Sequence, residues 1–305
     1  MYEILRKTVL SNAVKEIDVA APQIAKKGKA GQFVVLRVHE QGERIPLTIA
    51  DFDREKGFVT LVYQEVGKST RHLGTLGVGD SLASLTGPLG HASDIKKYGT
   101  VVCVGGGVGI APLYPIAREL KRAGNRVLSI IGARNRDLLF WEDKMAAISD
   151  RLIVCTDDGS HGRKALVTEP LKELFESGEE TIAHTWAIGP AIMMKFCCLV
   201  TKSFNAPTTV SLNTIMVDGT GMCGACRVKT ATKTYFACVD GPELDGHEID
   251  WDLLLSRQGQ YLNLEKQADE RYRSSCACGS TMRRSAPILS LHWDRDKGPW
   301  INQKS

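Results

Sequence analysis

The sequence predicts three units in tandem: a small antiparallel β barrel, a doubly wound α/β domain and a short C-terminal metal-binding module. Three observations predict this. Residues 1–97 are short β-rich runs separated by Gly, Asp and Lys. From residue 98 apolar strands alternate with helical stretches. From residue 207 a strand leads into a loop in which Cys223, Cys226 and Cys238 crowd among glycines. A chain of 305 residues is long enough to bury two cores and carry a further module.

In the first unit the runs Phe33–Val38, Pro46–Phe52, Phe58–Gln64 and Ser81–Leu85 read as strands. In the second, residues 98–206, Thr100–Val104 reads as a strand and Ala111–Ala123 as a helix. Val127–Ile131, Leu152–Cys155 and Thr185–Ile188 read as further strands. The third, residues 207–258, opens on a strand at Thr208–Leu212 and ends in a helix about Asp250–Arg257. Residues 259–305 are an extension expected to be disordered or bound to a partner. From about Tyr272 they lack periodicity and contain Cys276-Ala277-Cys278, Arg283-Arg284 and two tryptophans. No internal repeat is found.

The formal charge of +4, from 39 basic and 35 acidic residues spread along the chain, is too balanced for a nucleic-acid binder. No segment reaches the roughly 18 apolar residues that span a bilayer, and Met1–Leu10 has charges where a signal peptide needs an apolar run. A cytoplasmic protein is expected. The nine cysteines do not suggest a secreted disulfide framework. Cys103, Cys155, Cys197 and Cys198 lie in apolar stretches and read as small core hydrophobes. His161, His184 and His247 read as surface or core residues without a catalytic role.

The strongest chemical signal is Asp218-x4-Cys223-x2-Cys226-x11-Cys238. The intervals of its three cysteines are those of plant-type [2Fe–2S] loops, with aspartate at the first ligand position. Gly219, Gly221 and Gly224 suit a loop that folds tightly and turns its amides toward sulfur. Structural zinc is the competing reading, although its paired knuckles are usually spaced more closely. The second signal, Val104-Gly105-Gly106-Gly107-Val108-Gly109-Ile110-Ala111-Pro112, joins a predicted strand to a predicted helix, where a pyrophosphate can approach backbone amides. Gly132-Ala133-Arg134, Thr156-Asp157-Asp158-Gly159-Ser160 and Gly189-Pro190 each follow a predicted strand, along the edge where open α/β sheets bind ligands. The third signal is Arg44-Ile45-Pro46-Leu47-Thr48-Ile49, followed by Val62-Tyr63-Gln64 and Gly67-Lys68-Ser69-Thr70. Alone, the first of these is an edge strand with a proline, and the last is a helix start suited to phosphate.

Barrel, Gly-rich nucleotide domain and C-terminal cluster, in that order, resemble the ferredoxin–NADP reductase superfamily, in the branch of the electron-transfer subunit of dihydroorotate dehydrogenase B. Glu43–Asp51, Thr156–Ser160 and the aspartate-led loop are similar to the small subunits of NADH-dependent ferredoxin:NADP oxidoreductases, also called sulfide dehydrogenase subunits. The likeness covers about residues 1–258. It implies that Pro46, Leu47 and Thr48 line the isoalloxazine of FAD, with Thr48 near the reactive flavin nitrogen. It implies that Val62, Tyr63 and Gln64, with Gly67, Lys68, Ser69 and Thr70, hold the ribityl chain and pyrophosphate. Gly105, Gly106, Gly107, Val108 and Gly109, with Gly132, Arg134, Asp157, Asp158, Gly189 and Pro190, would receive NAD(H). Arg134 and Arg136 leave NADP(H) open. Arg44 departs from the pattern, standing four residues before Thr48 rather than three. Asp218 departs from the four-cysteine loop of the dihydroorotate branch and agrees with the aspartate ligand of the ferredoxin:NADP branch.

The resemblance further implies an electron-transfer flavoprotein that passes electrons between NAD(H), FAD and a [2Fe–2S] cluster. Its partner would be a larger flavoprotein subunit with [4Fe–4S] clusters in an electron-bifurcating heterodimer that also serves ferredoxin. Two alternatives stand beside this reading: the dihydroorotate subunit itself, and a non-catalytic nucleotide-binding regulatory module with a structural metal.

Overall fold

A computed structural model describes residues 2–277. The barrel is built from β1 (Tyr2–Val9), β2 (Val14–Ala20), α1 (Pro22–Lys27), β3 (Phe33–Arg37), β4 (Ile45–Asp53), β5 (Phe58–Gln64), α2 (Lys68–Thr75), β6 (Ser81–Leu82) and β7 (Ser84–Leu89). Its seven strands are ordered β6-β1-β2-β5-β4-β3-β7 with antiparallel pairings. The end strands β6 and β7 are separated in the chain by Ala83 alone, so the sheet curls round on itself. Alternation sets the two faces: Val59, Leu61 and Tyr63 of β5 point into the barrel core with Ile17, Leu36 and Ile49, while Val62 faces the next domain. The Tyr63 side chain is therefore a core element, and only its main chain can face a ligand.

The α/β part follows as β8 (Thr100–Gly106), α3 (Ile110–Arg122), β9 (Arg126–Ala133), α4 (Glu142–Ile148), β10 (Arg151–Thr156), β11 (Arg163–Lys164), α5 (Thr168–Ser177), β12 (Ile182–Ile188), α6 (Ala191–Ser203) and β13 (Thr208–Ser211). β8 is buried along almost its whole length, as a central parallel strand covered on both faces must be. α3 buries Ile110, Leu113, Ile116, Ala117 and Leu120, the stripe that its periodicity predicts. Cys103, Cys155, Cys197 and Cys198 are core residues, as expected, and burial pushes the Cys103 and Cys198 thiols up to about 12.

The last described elements are β14 (Arg227–Lys229), β15 (Thr234–Phe236), β16 (Glu243–Asp245), α7 (Trp251–Gln258) and α8 (Leu262–Ala277). The second sheet has the order β11-β10-β9-β8-β12-β13-β16. β13 and β16, which the sequence puts in the third unit, thus extend the α/β sheet, and the cysteine-bearing hairpin β14–β15 hangs from its edge. Strand pairing, invisible in local composition, stitches the two units together.

For its described part, α8 corrects the expectation for the extension. It lies on α2 rather than trailing away. Arg71 Nε donates to Asp269 Oδ1 at 2.8 Å, Arg273 pairs with the same carboxylate, and His72 sits between the His39 and Tyr272 rings. The helix is held by charge and ring contacts and has no broad apolar face, so periodicity gives no sign of it. Cys278 and the later tail lie outside the described residues. No helix among them is long and apolar enough to cross a membrane.

Polar contacts fix the barrel against the α/β domain. Trp141 Nε1 donates to the buried Glu16 at 2.9 Å, and Arg118 donates to Asp51 at 2.6 Å while lying over the Tyr114 ring. Glu243 occupies the junction of all three units. Its carboxylate accepts from Ser93 Oγ at 2.5 Å and from Trp186 Nε1 at 3.4 Å, and it crowds Gly31, where a Cβ would lie 2.8 Å from Oε1. Burial pushes the Glu243 carboxyl up to about 7, against the opposing effect of its hydrogen bonds.

Because the folded state then holds the proton more tightly than the unfolded chain, stability is full below about pH 4.5 and is lost as pH rises through about 7. Above pH 7 Glu243→Gln should raise the free energy of unfolding by about 3 kcal/mol at most, and the unfolding temperature with it, and near pH 4.5 it should leave both unchanged. Thermal melts across that range check this, and parallel pH profiles for the two proteins would refute it.

Candidate functional site

The sheet order places the α/β switch point between β8 and β12: the chain leaves β8 toward β9 on one side and returns to β12 on the other. At this point Gly105 is paired with Ile188, and Gly106 with Gly132. The sequence-predicted loops at Gly105–Gly109, Gly132–Arg134, Asp157–Asp158 and Gly189–Pro190 therefore share one sheet edge. The glycines there do different work. Gly107 has φ of 54° and open space where a side chain would stand, so its backbone is free for a ligand. A Cβ on Gly109 would lie 2.3 Å from the Ile188 carbonyl oxygen, so this position serves the close packing of turn and strand. Arg134, Asp157 and Asp158 are exposed. Met193, absent from the sequence reading, lies over both Gly106 and Gly189. Its place in the first turn of α6, just after Gly189-Pro190, is the signal that could have found it.

The predicted flavin face adjoins this crevice. Pro46, Leu47 and Thr48 are half-buried on β4, and Ala50 and Val62 pack with Ile110 and Ala111 just beyond the Gly-rich turn. α2 begins at Gly67 in extended conformation, and Thr70 Oγ1 accepts from the amides of Val66 and Gly67. The first amides of such a helix lack intrahelical partners and suit a phosphate. Ser69 is engaged by the Glu43 carboxylate, and Arg44 is exposed. Lys68 and Gln64 stand at the same end of β5 and α2.

The cysteine loop leans on the other side of the barrel. Gly219, Gly221 and Gly224 all have positive φ, at 77°, 87° and 65°. A Cβ on Gly219 would come within 3.0 Å of Leu89 and Val35, and one on Gly221 within 3.1 Å of Val239. Cys226 and Cys238 are buried with their sulfurs 3.2 Å apart, while Cys223 is exposed. Burial, then the neighbouring Cys226, pushes the Cys238 thiol up to about 12. The Asp218 carboxylate accepts from the Thr220 and Cys223 amides, both at 2.9 Å, and these backbone bonds hold it below its ordinary range, Thr220 first. Among the described residues no three His, Cys, Asp or Glu side chains converge as a closed metal site. What is assembled is a glycine-shaped loop, a buried sulfur pair and an exposed thiol capped by a carboxylate. Soft sulfur donors on such a loop suit iron–sulfur ligation.

One residue connects the predicted flavin face with the cysteine loop. Phe33 of β3 pairs with Thr48 across the sheet, and its ring lies 3.9 Å from where a Gly219 Cβ would stand. The predicted flavin face thus adjoins the Gly-rich sheet edge on one side and the cysteine loop on the other.

Comparison with known proteins agrees with this layout. Residues 103–199 match the oxidoreductase NAD-binding domain, and residues 213–250 match the iron–sulfur cluster binding domain of dihydroorotate dehydrogenase B. A homolog of the electron transfer subunit of dihydroorotate dehydrogenase B (NAD(+)) from Thermotoga maritima is 50% identical over 272 residues, covering 89% of this chain and 95% of that protein. The electron transfer subunit from Fusobacterium nucleatum is 31% identical, covering 70% and 83%. Among solved structures, one from work on flavin-based electron bifurcation by NADH-dependent reduced ferredoxin–NADP oxidoreductase superposes with a TM-score of 0.85 at 49% identity, covering 90% of this chain and 98% of that one. A Neisseria gonorrhoeae ferredoxin NADP+ reductase, at 19% identity and a TM-score of 0.55, shares the fold.

Two glycine substitutions should separate binding from folding. Gly107→Ala should weaken nicotinamide dinucleotide binding about tenfold at a stability cost of roughly 1–2 kcal/mol, since only its positive φ resists a side chain. Gly109→Ala should instead lower the melting temperature markedly by forcing β8 from β12. Titration calorimetry and thermal melts on both variants check the contrast; equal effects on both readouts would remove the distinction.

Proposed function

Because the chain belongs to the family of dihydroorotate dehydrogenase B-type electron transfer subunits, built on the ferredoxin–NADP reductase fold, we propose that it is the small subunit of an electron-bifurcating NADH-dependent ferredoxin:NADP+ oxidoreductase. As a member it is an oxidoreductase subunit with FAD, NAD(P)H and a [2Fe–2S] cluster as its cofactors. The observation that supports the reading most is the adjacency of the three regions around Phe33 and Ala50, because electron transfer needs its centres close and held still. Bound flavin supplies the conversion between two-electron hydride chemistry and the one-electron chemistry of the cluster.

The roles of the chain's residues follow from position. Gly105–Gly109, with Gly189 and Pro190, would receive the dinucleotide, and Pro46, Leu47 and Thr48 would line the flavin ring. The first amides of α2, with Lys68 and Thr70, hold the flavin pyrophosphate. Asp218, Cys223, Cys226 and Cys238 ligate the cluster, and each Asp218 oxygen bonded to an amide keeps a further lone pair for iron. Acid–base groups are not needed at the core of this chemistry; distance and orientation are.

The partner we propose is a larger flavoprotein subunit with [4Fe–4S] clusters that serves NADP(H) and ferredoxin. Val217, Met222 and Val239 form an exposed apolar rim beside Cys223, with Met222 at 89% exposure, as a surface awaiting a subunit would. Identity does not separate this reading from the dihydroorotate one, since the bifurcating structure at 49% and the Thermotoga maritima homolog at 50% stand level; Asp218 at the first ligand position is what favours it. Anaerobic isolation of the native complex tests the assignment: a partner that reduces NADP+ supports it, and one that oxidises dihydroorotate refutes it.

The isolated chain should be brown-yellow, with FAD and about two irons. Stoichiometric zinc in place of iron in protein prepared without oxygen would overturn the cluster. Asp218→Cys should keep the iron and move the reduction potential and paramagnetic resonance spectrum toward the four-thiolate type, because thiolate is the softer ligand. Should Asp218→Ala leave both unchanged, Asp218 only caps the loop.

A further inference from the structure

The loop between Cys223 and Cys226 contains two residues, and a guanidinium holds the carbonyl of each. Arg227 Nη1 donates to Gly224 O at 3.1 Å, and Arg257 Nη2 donates to Ala225 O at 3.0 Å. Arg227 comes from β14 inside the hairpin and is exposed; Arg257 comes from the last turn of α7 and is half-buried. Neither has a carboxylate oxygen within 4.0 Å among the described residues. Two uncompensated cations therefore stand against the segment that joins two of the proposed ligands.

α7 is built to keep Arg257 there. The Asp250 side chain caps the helix by accepting from the Leu253 amide at 3.0 Å. Buried Trp251 donates from its indole to Gly246 O at 2.9 Å, Leu254 packs into the core, and Gln258 donates to both the backbone and the side chain of Asn213 at 3.0 Å. α7 begins at Trp251, just past the matched iron–sulfur segment that ends at residue 250.

We propose that Arg257, assisted by Arg227, is a positioning residue that raises the reduction potential of the cluster, an inference that rests on the iron–sulfur reading of the loop. A reduced cluster carries one more negative charge than an oxidised one, so a fixed cation beside it favours the reduced form. The hydrogen bond to Ala225 O places that charge. Arg257 lies in a less solvated place than Arg227 and exerts the larger effect.

The test is a redox titration of the full chain with its partner subunit, followed by paramagnetic resonance, with iron measured per chain. Arg257→Gln removes the charge and keeps a donor; Arg257→Lys keeps the charge and loses the planar fork. Arg257→Gln should retain iron and lower the ratio of reduced to oxidised cluster at a fixed potential roughly tenfold. Arg257→Lys should stay near the unmodified protein, and Arg227→Gln should shift the ratio in the same direction by less. An unmoved midpoint in Arg257→Gln overturns the proposal, as does an equal drop in Arg257→Lys, which would make loop geometry and not charge the cause. If Arg257→Gln fails to load iron, Arg227→Gln decides by the same criterion. Absence of iron and of any signal in the unmodified protein would instead sink the cluster reading itself.

Discussion

The contact on which the rest of the arrangement depends is the approach of Gly219 to the barrel. With φ of 77° and less than a side chain's room before Val35 and Leu89, it lets the cysteine loop rest directly on β3 and β7. Any L-residue with a side chain would be strained at that angle, and its Cβ would press on Val35 and Leu89 at 3.0 Å. That seat puts the loop beside Phe33, whose partner across the sheet is Thr48. Close packing with no intervening layer is what sets the cysteine loop against the barrel.

Specific contacts between the units hold this arrangement together. β16 adds to the α/β sheet, so the cysteine hairpin cannot swing freely from it. Glu16 with Trp141, and Asp51 with Arg118, bolt the barrel to the other face of the same domain. Each pair is partly or wholly removed from water, where breaking one partner leaves an uncompensated polar group. Glu243 completes the set at the three-way junction, and its raised proton affinity follows from the enclosure that the junction creates.

Rigidity of this kind suits chemistry in which the protein moves no heavy atoms. The chain sets an open glycine of positive φ at Gly107, and gives the sulfurs of Cys226 and Cys238 apolar cover. Charge enters at the margins, in Arg227 and Arg257 against the loop carbonyls and in Arg71 and Asp269 between α2 and α8.

The sequence by itself determined the order of units, the strands Phe58–Gln64 and Thr100–Val104, the helix after the Gly-rich turn, and the cysteine intervals. These are local patterns, and local patterns register in periodicity and spacing. It left β1, β2, α1, α5 and α6 unmarked, because their patterns are mixed or short. Only the tertiary structure decided that Tyr63 turns into the barrel core, since the face a strand residue takes depends on register with β2 and β4. Only it joined β13 and β16 to the nucleotide sheet, laid α8 on α2, and brought Glu243, Met193 and Arg257 to their sites. Each of these depends on partners distant in sequence, such as Ser93 for Glu243 and Ala225 for Arg257, and a pairing over such a distance leaves no mark in the residues on either side of it.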